Sequence, residues 1–356
     1  MANHSKYGNT YRGRNSAWKP LLAVFLLMII AVSLGFLLLQ DHIIYDEDGR
    51  LYLDFLPERP APGGTGSTPG PEIPPEDMTI IIERPDPKEE EKRYFVYELA
   101  HMPLTDWAAH AAELPADEVT PDAVCITVKD GEGYVYVDSV AAAALGRRSV
   151  VVKDTTEQAI ADMTAEEAPA AIARICCLRD PRAAIIDVRG LGLRQRTGYL
   201  FYDESGASWL DPAKDAVRKY LTGLAGECAR MGFDELLLTD LCYPSDGKLE
   251  TINYGDVPKN ENLAAFLKEM RAAVADEEVR LSVEVPAEVI LNGSSEITGF
   301  VLAELAELVD GIYVRTAAAE APQLAELVKA ANPDIRFVAE VTDAEGIATD
   351  YLLLHE

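Results

Sequence analysis

From Tyr94 to the C-terminus, short apolar runs alternate with helical patterns. The runs are Tyr94–Leu99, Ala123–Val128, Ala171–Cys177, Glu235–Thr239, Arg280–Val285, Gly311–Val314, Ile335–Ala339 and Tyr351–Leu354. Most are near-continuous in apolar residues rather than alternating, the pattern of parallel strands covered on both faces. Helix punctuation lies between them. Asp211-Pro212 reads as an N-cap followed by proline at the first helical position; Val217, Leu221, Leu224 and Cys228 then share one face, and Gly232 closes the helix. Asn262–Ala275, Thr298–Leu308 and Ala321–Ala331 repeat the pattern. Eight strands with interposed helices in roughly 260 residues predict the α/β class and a (β/α)₈ TIM barrel. A doubly wound open sheet is the alternative, weakened because no glycine-rich phosphate loop opens any of these helices.

Ahead of this domain, Leu21 to Leu39 is an apolar run relieved only by Ser33 and Gly35. At about 1.5 Å per residue it nearly spans a hydrocarbon core about 30 Å thick, so one transmembrane helix is expected. Lys6, Arg12, Arg14 and Lys19 precede it; Asp41, Asp46, Glu47 and Asp48 follow. The positive-inside rule then keeps the N-terminus cytoplasmic and puts the C-terminal domain outside. A cleaved signal peptide has a shorter apolar region and a small-x-small cleavage pattern, which is lacking after Leu39. Residues 57–93 are rich in proline and glycine, a semi-rigid linker. The domains predicted are therefore 1–20, a basic cytoplasmic tail; 21–39, the membrane helix; 40–92, a juxtamembrane segment and Pro/Gly-rich linker; and 93–356, the barrel. Within 40–92, the segment from Ile43 to Phe55 reads as a small hairpin turning at Asp48-Gly49.

The net charge of -28 argues against nucleic acid and anionic surfaces and favours a neutral or cationic partner. The five cysteines are odd in number and sit mostly in apolar contexts, so buried free thiols are expected. No His cluster accompanies them, and neither a metal nor a cofactor is predicted.

Four segments carry a family resemblance: VCITVKDG at Val124–Gly131, IARICCLRDP at Ile172–Pro181, WLDP at Trp209–Pro212 and GFDELLLTDLCYPSDG at Gly232–Gly247. In this order they resemble the glycosyl-hydrolase-like TIM-barrel family first catalogued as a domain of unknown function. The resemblance covers about Tyr94 to the C-terminus. It implies a carbohydrate-directed cleft at the C-terminal ends of the strands. This chain departs from the family pattern at telling positions. Thr239 stands at the family's aspartate and Cys242 at its arginine, while the motif near the fifth strand retains one carboxylate, Glu284. The segment Tyr313–Ala318 lacks the family's polar residues after the sixth strand.

Glycosidases commonly need two carboxyl groups flanking the scissile bond, and Asp240 and Glu284 are the pair on offer. Thr239 and Asp240 are neighbours, so in a continuing strand one faces the cleft and the other the helices. Asp240 therefore reads as a loop hydrogen bonder, unless the strand has ended. Glu284 reads either as a catalytic acid or as a strand-end acid paired with Arg315 or Arg174. Lys129, Asp130 and Arg174 line the cleft and contact sugar hydroxyls in one reading and form a salt-bridge network in the other. Asp180, before Pro181, reads as a turn former. Trp209, Tyr243, Tyr313 and Arg315 complete the candidate binding set. Gly190–Tyr202 is a locally basic loop with Tyr199, Phe201 and Tyr202, suited to sugar stacking or to packing on the barrel rim. The function expected is a membrane-anchored, extracytoplasmic glycoside-hydrolase-like barrel that binds glycan or envelope components with degenerate catalysis; an active glycosidase is the alternative.

Overall fold

The computed structural model describes residues 43–45, 51–53, 93–98, 121–146, 161 and 169–354. The apolar run Leu21–Leu39 and the Pro/Gly-rich linker lie outside the described residues. Among the described residues, no helix is long and apolar enough to cross a membrane. The chain divides into two units, Met1–Glu83 and Arg84–Glu356. In the first, β1 (Ile43–Tyr45) pairs antiparallel with β2 (Leu51–Leu53), matching the hairpin expected around Asp48-Gly49.

The second unit holds eight strands, each at one of the predicted apolar runs: β3 (Phe95–Glu98), β4 (Ala123–Lys129), β5 (Ala170–Cys176), β6 (Glu235–Thr239), β7 (Arg280–Glu284), β8 (Gly311–Arg315), β9 (Arg336–Val341) and β10 (Tyr351–Leu353). All pair in parallel, and β10 joins β3 to β9, so the sheet is a closed barrel rather than an open doubly wound sheet. Successive side chains face opposite sides of each strand. One set, including Ile126, Ala173, Leu236, Val283 and Val314, packs outward in the main core. The other, including Cys125, Ile172, Leu237, Tyr313, Val338 and Leu352, fills the barrel interior as a separate cluster. Below that cluster the interior is polar: Glu235 accepts from Ser282 Oγ at 2.7 Å and from Arg280 Nε at 3.2 Å.

The helices are amphipathic and shield the barrel. Among them, α1 (Val140–Ala143) is capped by Ser139 Oγ, which accepts from Ala142 N at 3.0 Å. Helix α2 (Pro181–Ile186) follows β5 directly. Helix α3 (Asp215–Arg230) buries Val217, Leu221, Leu224 and Cys228, the predicted stripe. It starts later than expected: Lys214 is the N-cap, and Asp211 instead organises the preceding turn by accepting from Ala213 N at 3.0 Å. Helices α4 (Lys259–Ala273), α5 (Ala287–Asn292), α6 (Leu302–Leu308) and α7 (Ala321–Ala331) complete the described set. Residues 298–301, expected in the helix α6, are not helical, because Gly299 takes φ +84° and Val301 is extended. The five cysteines are free, four of them buried.

Candidate active-site cleft

The C-terminal ends of the barrel strands, where TIM-barrel sites lie, open into a cleft of about 330 Å³. At its base stands Arg174. Inward parity along β5 carries this residue from the apolar layer of Ile172 to the mouth. Its Nη1 donates to Glu98 Oε1 at 2.9 Å, and its Nη2 donates to Glu284 Oε2 at 2.8 Å and to both carboxylate oxygens of Glu340 at 3.1 Å. Strands β3, β7 and β9 thus each present one carboxylate to a single guanidinium. Burial alone would lower the Arg174 pKa, but Glu340, Glu284 and Glu98 hold it well above its ordinary value. Glu340 is fully buried; burial, with Glu284 and Glu98, pushes its carboxyl up to about 7 against the opposing pull of Arg174.

Strand β6 ends at Thr239, and the next residue breaks the alternation. Asp240 adopts φ +47°, and it is the non-glycine residue with positive φ among those described. That left-handed turn costs about 1–2 kcal/mol for a residue with a Cβ, and it swings the carboxylate back to the cleft that Thr239 also lines. Strand parity had directed Asp240 towards the helices; one backbone torsion reverses this. Asp240 Oδ2 accepts from the Cys176 thiol at 3.1 Å. Burial and then the Asp240 charge push that thiol well up, so it stays protonated as a donor. Leu238 pairs with Val283, so Thr239 and Glu284 follow one step later on adjacent strands. Asp240 and Glu284 therefore line one cleft.

Lys129 is fully buried. Its ammonium lies 3.1 Å from Asp180 Oδ2 and donates to the Cys176 carbonyl at 2.6 Å. Asp180 also caps α2, accepting from Ala183 N at 2.8 Å. Lys129 therefore anchors the third strand–helix junction rather than presenting a free cation to a sugar. Asp130 organises its own loop, accepting from Glu132 N and Tyr134 N at 2.9 Å and from Tyr136 Oη at 2.7 Å. The aromatic candidates are elsewhere. Trp209 is buried and donates to Asp203 Oδ2 at 3.0 Å; Tyr243 is buried and accepts from Asn262 Nδ2 at 3.2 Å; Tyr313 fills the barrel interior. Arg315 is exposed at the end of β8 and does not line the cleft.

Sequence reasoning missed Glu98, Glu340, Cys176 and Arg179. Inward parity from Val96 points to Glu98. Glu340 lies one residue beyond the seventh predicted run, Ile335–Ala339, whereas β9 continues to Val341. Arg179, whose Nε is 3.5 Å from Asp203 Oδ2, sits inside the IARICCLRDP segment, and that motif is the signal that points to it. Among the described residues, no group of three or more His, Cys, Asp or Glu side chains is arranged to hold a metal ion.

The family described as "Putative glycosyl hydrolase domain" matches residues 113–314. The chain belongs to this family. Comparison with curated proteins returns no match. Among solved structures, the glycoside hydrolase domain of PgaB (BpsB) from Bordetella bronchiseptica is similar in fold, with a TM-score of 0.53 and 14% identity over 74% of this chain and 94% of that one. A hypothetical protein from Ruminiclostridium thermocellum is 22% identical over 53% of this chain and 95% of its own, with a TM-score of 0.43. The glycoside hydrolase domain of PelA from Pseudomonas aeruginosa is 15% identical over 69% of this chain and 82% of its own, at a TM-score of 0.41. These likenesses concern the fold alone.

Proposed function

We propose that the barrel binds a glycan in the cleft above Arg174 and hydrolyses it slowly or not at all. One observation carries this reading: the cleft carboxylates already hold protein donors. Glu98 and Glu284 are taken by Arg174, Asp130 by its own loop and Asp240 by Cys176. Hydrolysis asks one carboxyl group to deliver a proton and a second to attack the sugar or activate water. Binding asks only for hydroxyl partners, which the polar lining of the cleft supplies. Thr239 and Cys242, at the family's aspartate and arginine positions, point the same way. The four acids lining the cleft outnumber Lys129, Arg174 and Arg179, which favours neutral or cationic sugars over uronic or sulfated ones.

The apolar run Leu21–Leu39 supports a membrane-anchored protein whose barrel lies outside the cytoplasm. Protease added to intact cells should then remove the barrel; full protection would overturn that placement.

An active glycosidase is the second reading, favoured by the left-handed turn that returns Asp240 to the cleft beside Glu284. Assaying the full-length protein on oligosaccharides and peptidoglycan, alongside Glu284→Gln and Asp240→Asn, separates the two. Glycan binding without turnover supports the first. Turnover abolished by either substitution establishes the second.

A further inference from the structure

A second concavity, of about 440 Å³, lies beside the cleft. The loop after β5 and the loop after β6 wall it with Gln195, Tyr202, Asp203, Lys248 and Thr251. The first runs from α2 to α3 within the connection that follows β5, and the second runs from β6 to α4. The concavity shares a wall with the cleft: Arg179 lines the cleft and Asp203 lines the concavity, and the two are paired at 3.5 Å.

Two features distinguish this place. Among the described aromatic side chains, Tyr199 and Tyr202 are the exposed ones, at 74% and 49%, and both belong to this loop. The loop is also held on several sides. Leu193 N donates to Trp209 O at 2.7 Å, Arg196 N to Thr251 O at 2.8 Å, and Glu204 N to Asp246 Oδ1 at 2.8 Å. Gly247 takes φ +87°, and a Cβ there would stand 3.0 Å from the Tyr202 carbonyl, so the two loops meet as closely as backbone allows. An exposed phenol ring on a held backbone has little conformational entropy left to lose on binding. Its face is apolar and its tip polar. A pyranose ring has the matching character, with an apolar C–H face and a hydroxyl edge.

We propose that this concavity is an outer subsite for a glycan chain that continues from the Arg174 cleft, with Tyr202 as its stacking face and Gln195, Lys248 and Thr251 as hydroxyl partners. The inference rests on the glycan-binding reading above and deepens it: the ligand is a chain longer than the cleft itself holds. The test is calorimetric titration of the full-length protein with a disaccharide-to-octasaccharide ladder of β-linked glucosamine and of β-linked glucose oligomers. Affinity should rise with length by about 3–10-fold once the chain reaches the second concavity. Tyr202→Ala should remove that rise while leaving the shortest binding oligomer unaffected, and Tyr202→Phe should retain it. Lys248→Trp changes an exposed side chain and fills the concavity from the loop after β6, so it should also flatten the ladder even if Tyr202→Ala fails to fold. A length dependence unchanged in Tyr202→Ala and Lys248→Trp overturns the subsite and leaves glycan binding standing. No binding of any oligomer by the unaltered protein overturns both.

Discussion

Arg174 Nη2 donates to both carboxylate oxygens of Glu340 at 3.1 Å, at the floor of a cleft that Glu340 itself does not line. The same guanidinium serves Glu98 and Glu284. One cation cannot neutralise three anions, and the most deeply buried acid is where a proton costs least. The cluster is therefore a scaffold for the cleft, and Glu340 is the acid within it that burial pushes towards neutral pH.

Glu340 should make stability depend on pH. Its folded pKa, pushed up to about 7 first by burial, lies above the ordinary 4.5, so the folded state binds more protons between those values. Its contribution is fully present below about 4.5 and is lost as pH rises through about 7. Glu340→Gln should flatten the loss of urea midpoint between pH 5 and pH 8 relative to the unaltered protein. An identical pH profile in the variant would show that Glu340 is ionised across that range.

The turn at Asp240 separates backbone from side-chain effects. Asparagine tolerates the left-handed region and glycine has no Cβ to strain there, whereas a β-branched residue does. Asp240→Asn and Asp240→Gly should melt close to the unaltered protein. Asp240→Val should be less stable than Asp240→Gly by about 1–3 kcal/mol. Equal melting of the valine and glycine variants would remove the strain argument.

The buried Lys129–Asp180 pair should be expensive to halve. Lys129→Met leaves the Asp180 carboxylate buried without its cation, and Asp180→Ala leaves the ammonium alone and removes the α2 cap. Each should cost about 3–5 kcal/mol by denaturant titration, and the double variant should cost less than the sum. Strict additivity would mean that the pair is not energetically coupled.

Strand β10 closes the barrel by pairing with β3 and β9 at once, and Asp350 Oδ1 accepts from Tyr94 N at 2.9 Å. Deleting Asp350–Glu356 should expose two strand edges and abolish cooperative thermal unfolding, with aggregation. A truncated protein that melts as sharply as the full chain would contradict that role.

The eight-stranded barrel was legible because its strands are largely buried on both faces and so read as apolar runs, from Phe95 to Leu353. Helix starts were less legible. Asp211-Pro212 has the chemistry of a cap, yet helix α3 begins at Asp215, because turn and cap use the same Asp and Pro preferences. Asp180 was readable as a local hydrogen bonder, but nothing in its neighbourhood names Lys129, 51 positions earlier, as its partner.

What the sequence determined by itself was the alternation of strand and helix, the closed parallel sheet it favours and the family to which the chain belongs. These follow from hydrophobic periodicity and short motifs, which are local properties. Tertiary structure decided which carboxylates meet. Glu98, Glu284 and Glu340 come from strands far apart in the chain and converge because barrel closure turns their inward faces towards Arg174. It also decided that Trp209, Tyr243 and Tyr313 are buried while Tyr202 is exposed, since composition does not say which side of an aromatic ring will find the core. Asp240 shows the limit most sharply. Strand parity is a rule about extended backbone, and a single φ of +47° at the strand end turns its side chain from the helices to the cleft.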